Sequence, residues 1–322
     1  MTRPLAHVAA LATVAFAVLL LASCGGGSAP KFPRVVQLGG CQICPSINNT
    51  LAVGDNRVSM TLADADGAHI LDAQVHLRYY NLNDGKTRFR SEMDARFIPV
   101  QLAYVDELAG GERSITGDDG VYVSLVNFDQ PGDWGVEIAV RRGDRTEKRI
   151  PFRFNVLERT PEVAVGDPAP PSVQPTTATD PIEEIDSSSP PRPQMHDITV
   201  ADALKTGKPL VIAFATPAFC RSRTCAPVMD TVMDPLARDY AGRAIFIHIE
   251  PYVLRDLRTA NIQNPVPATR EWGIRSEPWV FVVGADGRVA GKFEGIMARD
   301  EVQSVLDLAL ANTGASATPT AP

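Results

Sequence analysis

Between residues 51 and 158 hydrophobic and polar side chains alternate with period two. Arg57-Val58-Ser59-Met60-Thr61-Leu62 and Gln74-Val75-His76-Leu77-Arg78-Tyr79 alternate strictly, and further runs cover 98–105, 120–128, 134–141 and 150–157. An extended chain points successive side chains to opposite sides, so this pattern predicts strands with one buried face. Asp66-Gly67, Asp84-Gly85, Asp119-Gly120, Pro131-Gly132 and Gly143-Asp144 divide the runs with turn residues. No segment here carries a helical stripe. Six or seven short strands so punctuated predict an all-β sandwich over 51–158. Tyr79, Tyr80 and Trp134 are assigned to its core, and His69 and His76 to its surface or strands.

After His196 the pattern changes. Thr199 to Asp202 forms a capping box for a short helix that Gly207 stops. The unbroken apolar run from Pro209 to Phe214 suits a strand covered on both faces. A helical stripe follows over 225–240, and Ala244 to Glu250 is a second buried strand. Trp279–Val283 and Arg288–Phe293 flank Asp286-Gly287 as a hairpin. Asp300 and Gln303 cap a last helix, whose Val302, Val305, Leu306, Ala309 and Leu310 share one face. The order α, β, α, β, (α), β, β, α predicts an α/β domain over 197–312, with a frayed tail at 313–322. Between the two bodies lies a linker, 159–196. Nine prolines fall within the 33 residues from Pro161 to Pro193, a composition expected to stay extended, with a reach of at most ~100 Å.

The N-terminus reads as an address. Arg3 precedes an apolar run from Val8 to Ala22, short for a span needing about 20 residues but suited to a signal. It ends Leu21-Ala22-Ser23-Cys24, followed by three glycines, and resembles a bacterial lipobox. The resemblance implies that 1–23 is a signal peptide and that Cys24 is acylated, palmitate being one such chain. Residues 24–50 would form a tether carrying Cys41 and Cys44, and the body would sit lipid-anchored on the extracytoplasmic side of a cell membrane. Disulfides persist in that setting. A net charge of −7 over 322 residues argues against a nucleic-acid partner.

Gln130 to Ile138 resembles a late strand of the immunoglobulin-like modules of bacterial envelope proteins. In the second domain the resemblance is to thioredoxins. Val211 to Thr216, a cysteine segment and Ala226 to Asp230 are similar to that family's central strand, redox turn and following helix. Trp272 to Trp279 resembles the loop that carries its cis-proline, and Asp286 to Val289 its closing hairpin. The resemblance implies exchange chemistry at Cys220 and Cys225 beside Pro278, with Phe219, Glu277 and Trp279 contacting the partner. Three positions depart from the family. The cysteines are spaced Cys-x4-Cys, Phe219 replaces a tryptophan, and Ala213 stands where the family has a buried acid.

Five residues of regular helix rise ~7.5 Å, beyond disulfide reach, so Cys220 and Cys225 can join only if 220–224 is uncoiled. Cys225 lies in line with Val228, Val232 and Leu236 and should face the sheet. Cys220 should be exposed near the helix N-terminus, beside Arg221 and Arg223, as the attacking thiol, with Cys225 as the resolving one. Three readings of the Cys220–Cys225 pair stay open: active exchange, a stabilising disulfide, and metal binding. Cys41–Cys44 reads as a local disulfide or a second exchange centre. A joint four-cysteine zinc site is disfavoured because the pairs lie on different bodies. His248 is a satisfied strand histidine or, in a copper-delivery reading, a ligand beside the cysteines. The expectation is an extracytoplasmic thiol–disulfide exchange protein acting on exported proteins, with no metal or cofactor. A redox-inactive scaffold and a copper-delivery protein are the alternatives.

Overall fold

The computed structural model describes residues 30–33, 42–106, 111–144 and 148–315. The expected signal segment 1–23, the expected lipidation site Cys24, and Cys41 lie outside them. Eight strands form the first body: β1 (Ile43–Ile47), β2 (Gly54–Asp64), β3 (Gln74–Asn81), β4 (Arg88–Asp94), β5 (Arg96–Asp106), β6 (Glu112–Phe128), β7 (Gly132–Arg141) and β8 (Lys148–Val156). They make two four-stranded antiparallel sheets, β1-β2-β6-β5 and β4-β3-β7-β8. Val58, Met60 and Leu62 of one sheet pack against Leu77, Tyr79, Val136 and Ile138 of the other, forming a sandwich core. Tyr79 and Trp134 are buried there, and the indole of Trp134 donates to the Gln130 carbonyl at 3.0 Å. Tyr80, one residue on in the strand, turns to the opposite face and is buried between Phe32 and Phe89 instead of in the expected core.

Two strands escaped the sequence reading. β1 falls within the expected tether, so part of 24–50 belongs to the sandwich. β4 reads Arg-Phe-Arg-Ser-Glu-Met-Asp, and its charges suit an edge strand, where they discourage pairing with foreign chains.

The second body holds the helices α2 (Val200–Leu204), α3 (Cys225–Val228), α4 (Asp234–Asp239), α5 (Leu254–Ala260), α6 (Pro267–Glu271) and α7 (Arg299–Ala315), and four strands, β9 (Leu210–Phe214), β10 (Ile245–Ile249), β11 (Trp279–Val283) and β12 (Val289–Glu294). The sheet order is β10-β9-β11-β12, with only β10 parallel to β9. A four-stranded sheet packed against helices on both faces is the α/β architecture predicted for this stretch. β9 is buried throughout because its faces meet different layers. Val211 and Ala213 meet Val302 and Leu306 of α7, while Ile212 and Phe214 meet Val200, Ala268 and Trp272 around α2 and α6. Thr199 caps α2, its hydroxyl accepting the Asp202 amide at 3.0 Å. The expected cap of α7 is different: Glu301 accepts the Ala298 amide at 2.9 Å, and Asp300 instead pairs with Arg96. Helix α7 runs to Ala315, so the expected tail from 313 is shorter.

The proline-rich segment is not a free spacer. It is an ordered strap laid across the second domain, carrying the short helix α1 (Ile182–Ile185). Val163 donates to the Trp272 carbonyl, Gly166 to Val289 and Ala169 to Gly287, while Trp272 Nε1 donates to Ser172 Oγ at 3.2 Å. Individual apolar residues such as Ala169 and Ile185 are buried. Proline lowers the entropy lost on ordering, and a strap needs no core of its own when a neighbour supplies one.

The sandwich docks on the second body through the outer face of β5 and β6. Ile98, Val121 and Val123 pack on Ile296, and Arg57 is bidentate to Glu301 at 2.7 and 2.9 Å.

Candidate functional site

The cysteine loop leaves the end of β9 and enters α3 (Cys225–Val228), which continues through a π turn (Met229–Met233) into α4 (Asp234–Asp239). Residues 220–224 are uncoiled, with Arg223 at φ 58°, and Cys220 and Cys225 form a disulfide with Cα atoms 6.0 Å apart. The Cys225 amide donates to Cys220 Sγ at 3.3 Å, and the Ser222 hydroxyl lies 3.2 Å from the same sulfur. Ser222 is itself 2.7 Å from the Thr224 hydroxyl. These donors sit where negative charge would develop on a reduced Cys220.

Cys225 is buried against the sheet. Cys220 is also buried, at 5% exposure, although Arg221, Ser222 and Arg223 around it are exposed. The expectation of an exposed Cys220 is therefore corrected. Its sulfur turns inward, and edge strand β5 clasps the loop from outside. The Ala103 amide donates to the Arg223 carbonyl at 3.0 Å, and Val105 to Pro217 at 3.3 Å. Arg223 lies over the Tyr104 ring at 5.4 Å, and Arg113 pairs with Asp230.

Trp279 pairs with Phe214 across β11 and β9, which places Pro278 beside the strand end from which the cysteine loop departs. The Glu277–Pro278 peptide is cis. Glu277 is half-buried and accepts the Tyr252 hydroxyl at 2.7 Å; burial pushes its carboxyl up, against the pull of that hydroxyl and of Arg221. Phe219 is half-buried and Pro278 buried. Trp279 is not a contact surface. It is 4% exposed, stacked on Phe281 with ring centroids 5.5 Å apart, and its Nε1 donates to Ser276 Oγ at 3.1 Å. The reason is its register: it starts β11 and faces the core shared with α6.

A polar cluster lies behind the loop. His248 of β10 is fully buried and bonds the Ala215 carbonyl at 2.9 Å through Nε2; burial lowers its pKa to about 4. Its Nδ1 lies 3.2 Å from His196 Nε2, and Asp186 of the strap approaches both imidazoles. The two imidazoles hold the Asp186 carboxyl well below the usual range, despite burial. Glu250, also buried, accepts the Ser187 amide at 2.7 Å, and burial pushes its carboxyl up to about 8. Ser187 Oγ in turn accepts the Ala218 amide at 3.2 Å, tying this cluster to the loop two residues before Cys220.

Asp186, His196 and Glu250 were not legible as site residues. The strap read as solvated, so its acid and its terminal histidine had no structural context. Only His248, alternating within an isoleucine strand, gave a signal. Cys44 is disulfide-bonded in β1, and Cys41, its expected partner, lies outside the described residues. His69 and His76 pair with Asp119 and Asp94 at the surface of the sandwich.

No family model and no curated protein matches the chain. Several solved structures are similar to part of it, among them two from Chlorobium tepidum. One, described as a thiol:disulfide interchange protein DsbE from Chlorobium tepidum, is 17% identical over 46% of this chain and 99% of that one, with a TM-score of 0.31. The other, a thiol:disulfide interchange protein of the thioredoxin family from Chlorobium tepidum TLS, is 23% identical over 46% of this chain and 98% of that one, with a TM-score of 0.29.

Proposed function

We propose that this chain is a lipid-anchored, extracytoplasmic protein that exchanges thiols and disulfides with exported proteins through Cys220 and Cys225. The anchor rests on the sequence Leu21-Ala22-Ser23-Cys24. An immunoglobulin-like role for the sandwich rests on its two packed antiparallel sheets and on the Gln130–Ile138 strand. The observation that carries the chemistry is the Cys225 amide aimed at Cys220 Sγ at 3.3 Å, in an uncoiled loop at the helix entrance. A thiolate formed there meets a ready-made donor. The Cys220 thiolate attacks a partner's disulfide sulfur, forming a mixed disulfide and releasing one partner thiolate. The Cys225 thiolate then attacks Cys220 Sγ, closing the 220–225 bond and releasing the partner's second thiolate. Two electrons pass to the partner; the reverse sequence oxidises a partner dithiol.

Access to Cys220 in this reading requires β5 to lift from the loop. The backbone of Glu277 then offers an edge for a partner's extended chain. The burial of Cys220 favours a second reading, a stabilising disulfide in a redox-inactive scaffold. Cys225→Ser separates them. Exchange predicts that this variant accumulates mixed disulfides with exported proteins through Cys220, lost in the Cys220→Ser/Cys225→Ser double variant. A scaffold predicts none.

A further inference from the structure

Asp186 and His196 of the strap and His248 of strand β10 converge, and they are 2%, 2% and 0% exposed. His196 Nε2 lies 3.2 Å from His248 Nδ1 and 3.4 Å from Asp186 Oδ2, and His248 Nδ1 lies 3.5 Å from Asp186 Oδ1. Ligands bound tetrahedrally at ~2.0–2.1 Å from a cation stand ~3.3–3.4 Å from one another. The first two contacts match edges of such a coordination shell, and the three donor atoms all lie within 4.8 Å of one another, with one carboxylate oxygen turned toward each imidazole.

The surroundings are those of held ligands. His248 uses Nε2 on the Ala215 carbonyl, which fixes the proton there and leaves Nδ1 with a lone pair facing the cluster. Asp186 accepts the Ser188 amide at 2.7 Å and the Arg192 amide at 2.6 Å, one on each oxygen, so the carboxylate plane is set by backbone. A cavity of about 410 Å³ is lined by His196, His248 and Glu250. Glu250 keeps Oε2 buried without a hydrogen bond. Two of the three protein ligands, His196 and His248, line this cavity, which leaves coordination room on that side for water or a small ligand.

We propose that Asp186, His196 and His248 bind one divalent first-row cation, of which Zn²⁺ is the reference case for a two-imidazole, one-carboxylate set. The site departs from the sequence expectation of no metal and is independent of the cysteines. Its formation would pin the strap to β10, since two ligands come from the strap segment and one from the sheet.

The test uses the full chain with its disulfides intact, stripped with chelator and titrated with Co²⁺ and then Zn²⁺. Expected is one equivalent of Co²⁺ giving visible ligand-field bands, displaced by Zn²⁺, with the thermal midpoint raised by Zn²⁺. His196→Gln, His248→Gln and Asp186→Asn should each weaken binding at least ~100-fold. The Cys220→Ser/Cys225→Ser variant should bind as wild type, which keeps this outcome separate from that of the exchange reading. X-ray absorption of the Zn²⁺-loaded wild type decides the matter even if a variant fails to fold: two imidazoles and no sulfur are expected. Absence of binding in the wild type, sulfur in the shell, or undiminished affinity in folded His196→Gln would overturn the proposal, leaving a metal-free imidazole hydrogen bond.

Discussion

The amide of Ala103 donates to the carbonyl of Arg223 at 3.0 Å, so an edge strand of the sandwich pairs with the loop that holds Cys220. Together with the Val105–Pro217 bond, this contact makes the first domain a cover for the second domain's cysteines. Tyr104→Ala with Arg113→Ala removes the ring under Arg223 and the partner of Asp230, contacts worth about 1–1.5 kcal/mol together. Alkylation of reduced Cys220 by iodoacetamide should then speed up about tenfold. An unchanged rate would mean that β5 does not limit access.

Arg57 is bidentate to Glu301 and also donates to the Ile296 carbonyl at 2.9 Å, with side chains only 7% and 13% exposed. Removing one partner of such a pair strands a buried charge. Arg57→Ala should cost about 3 kcal/mol and split denaturant unfolding into two transitions as the domains uncouple. A single transition with an unchanged midpoint would remove this pair from the docking interface.

Gly273 has φ +68°, and a Cβ added there would lie 2.1 Å from the Pro161 carbonyl oxygen. Both the backbone conformation and the close approach demand glycine at this point, where the strap first meets the second domain. Gly273→Ala should destabilise the protein by at least ~2 kcal/mol and open the strap to limited proteolysis near Pro161. Equal resistance to protease would show that the strap is held elsewhere.

Burial raises the Glu277 carboxyl above its unfolded value. The folded state then holds a proton that the unfolded chain has released. Stability from this group is full below the ordinary carboxylate range and falls as pH rises through the raised value. Glu277→Gln keeps an acceptor for Tyr252 and does not ionise. Denaturant unfolding at about pH 4 and about pH 7 should show the variant gaining on wild type at the higher pH. Parallel stabilities at both would contradict the assignment.

The sandwich was legible because most of its strands keep one face wet over much of their length, which preserves alternation. The apolar run Val121-Tyr122-Val123 carried more than a strand: Tyr122 enters the sandwich core, while Val121 and Val123 reach Ile296 in the other domain. Alternation alone gives no partner for such an outer face. The cysteine geometry was readable from Pro217 and the five-residue separation, which together forbid a helical path. What covers Cys220 was not, since pairing between β5 and the loop spans more than a hundred residues and uses backbone groups that any sequence carries. The strap misled for a related reason. Its prolines report a preference for extension, and extension serves a docked segment as well as a free one. Asp186 and His196 became a pair only through the fold of that strap.

The exchange reading turns on whether the Cys220–Cys225 bond is poised to be made and broken. Equilibrating the full chain against a glutathione series, with the 220–225 redox state read by thiol labelling, measures its potential. Exchange at this pair predicts a value near or above ~−200 mV; a value below ~−300 mV, typical of bonds that the glutathione pool leaves intact, would make the pair structural.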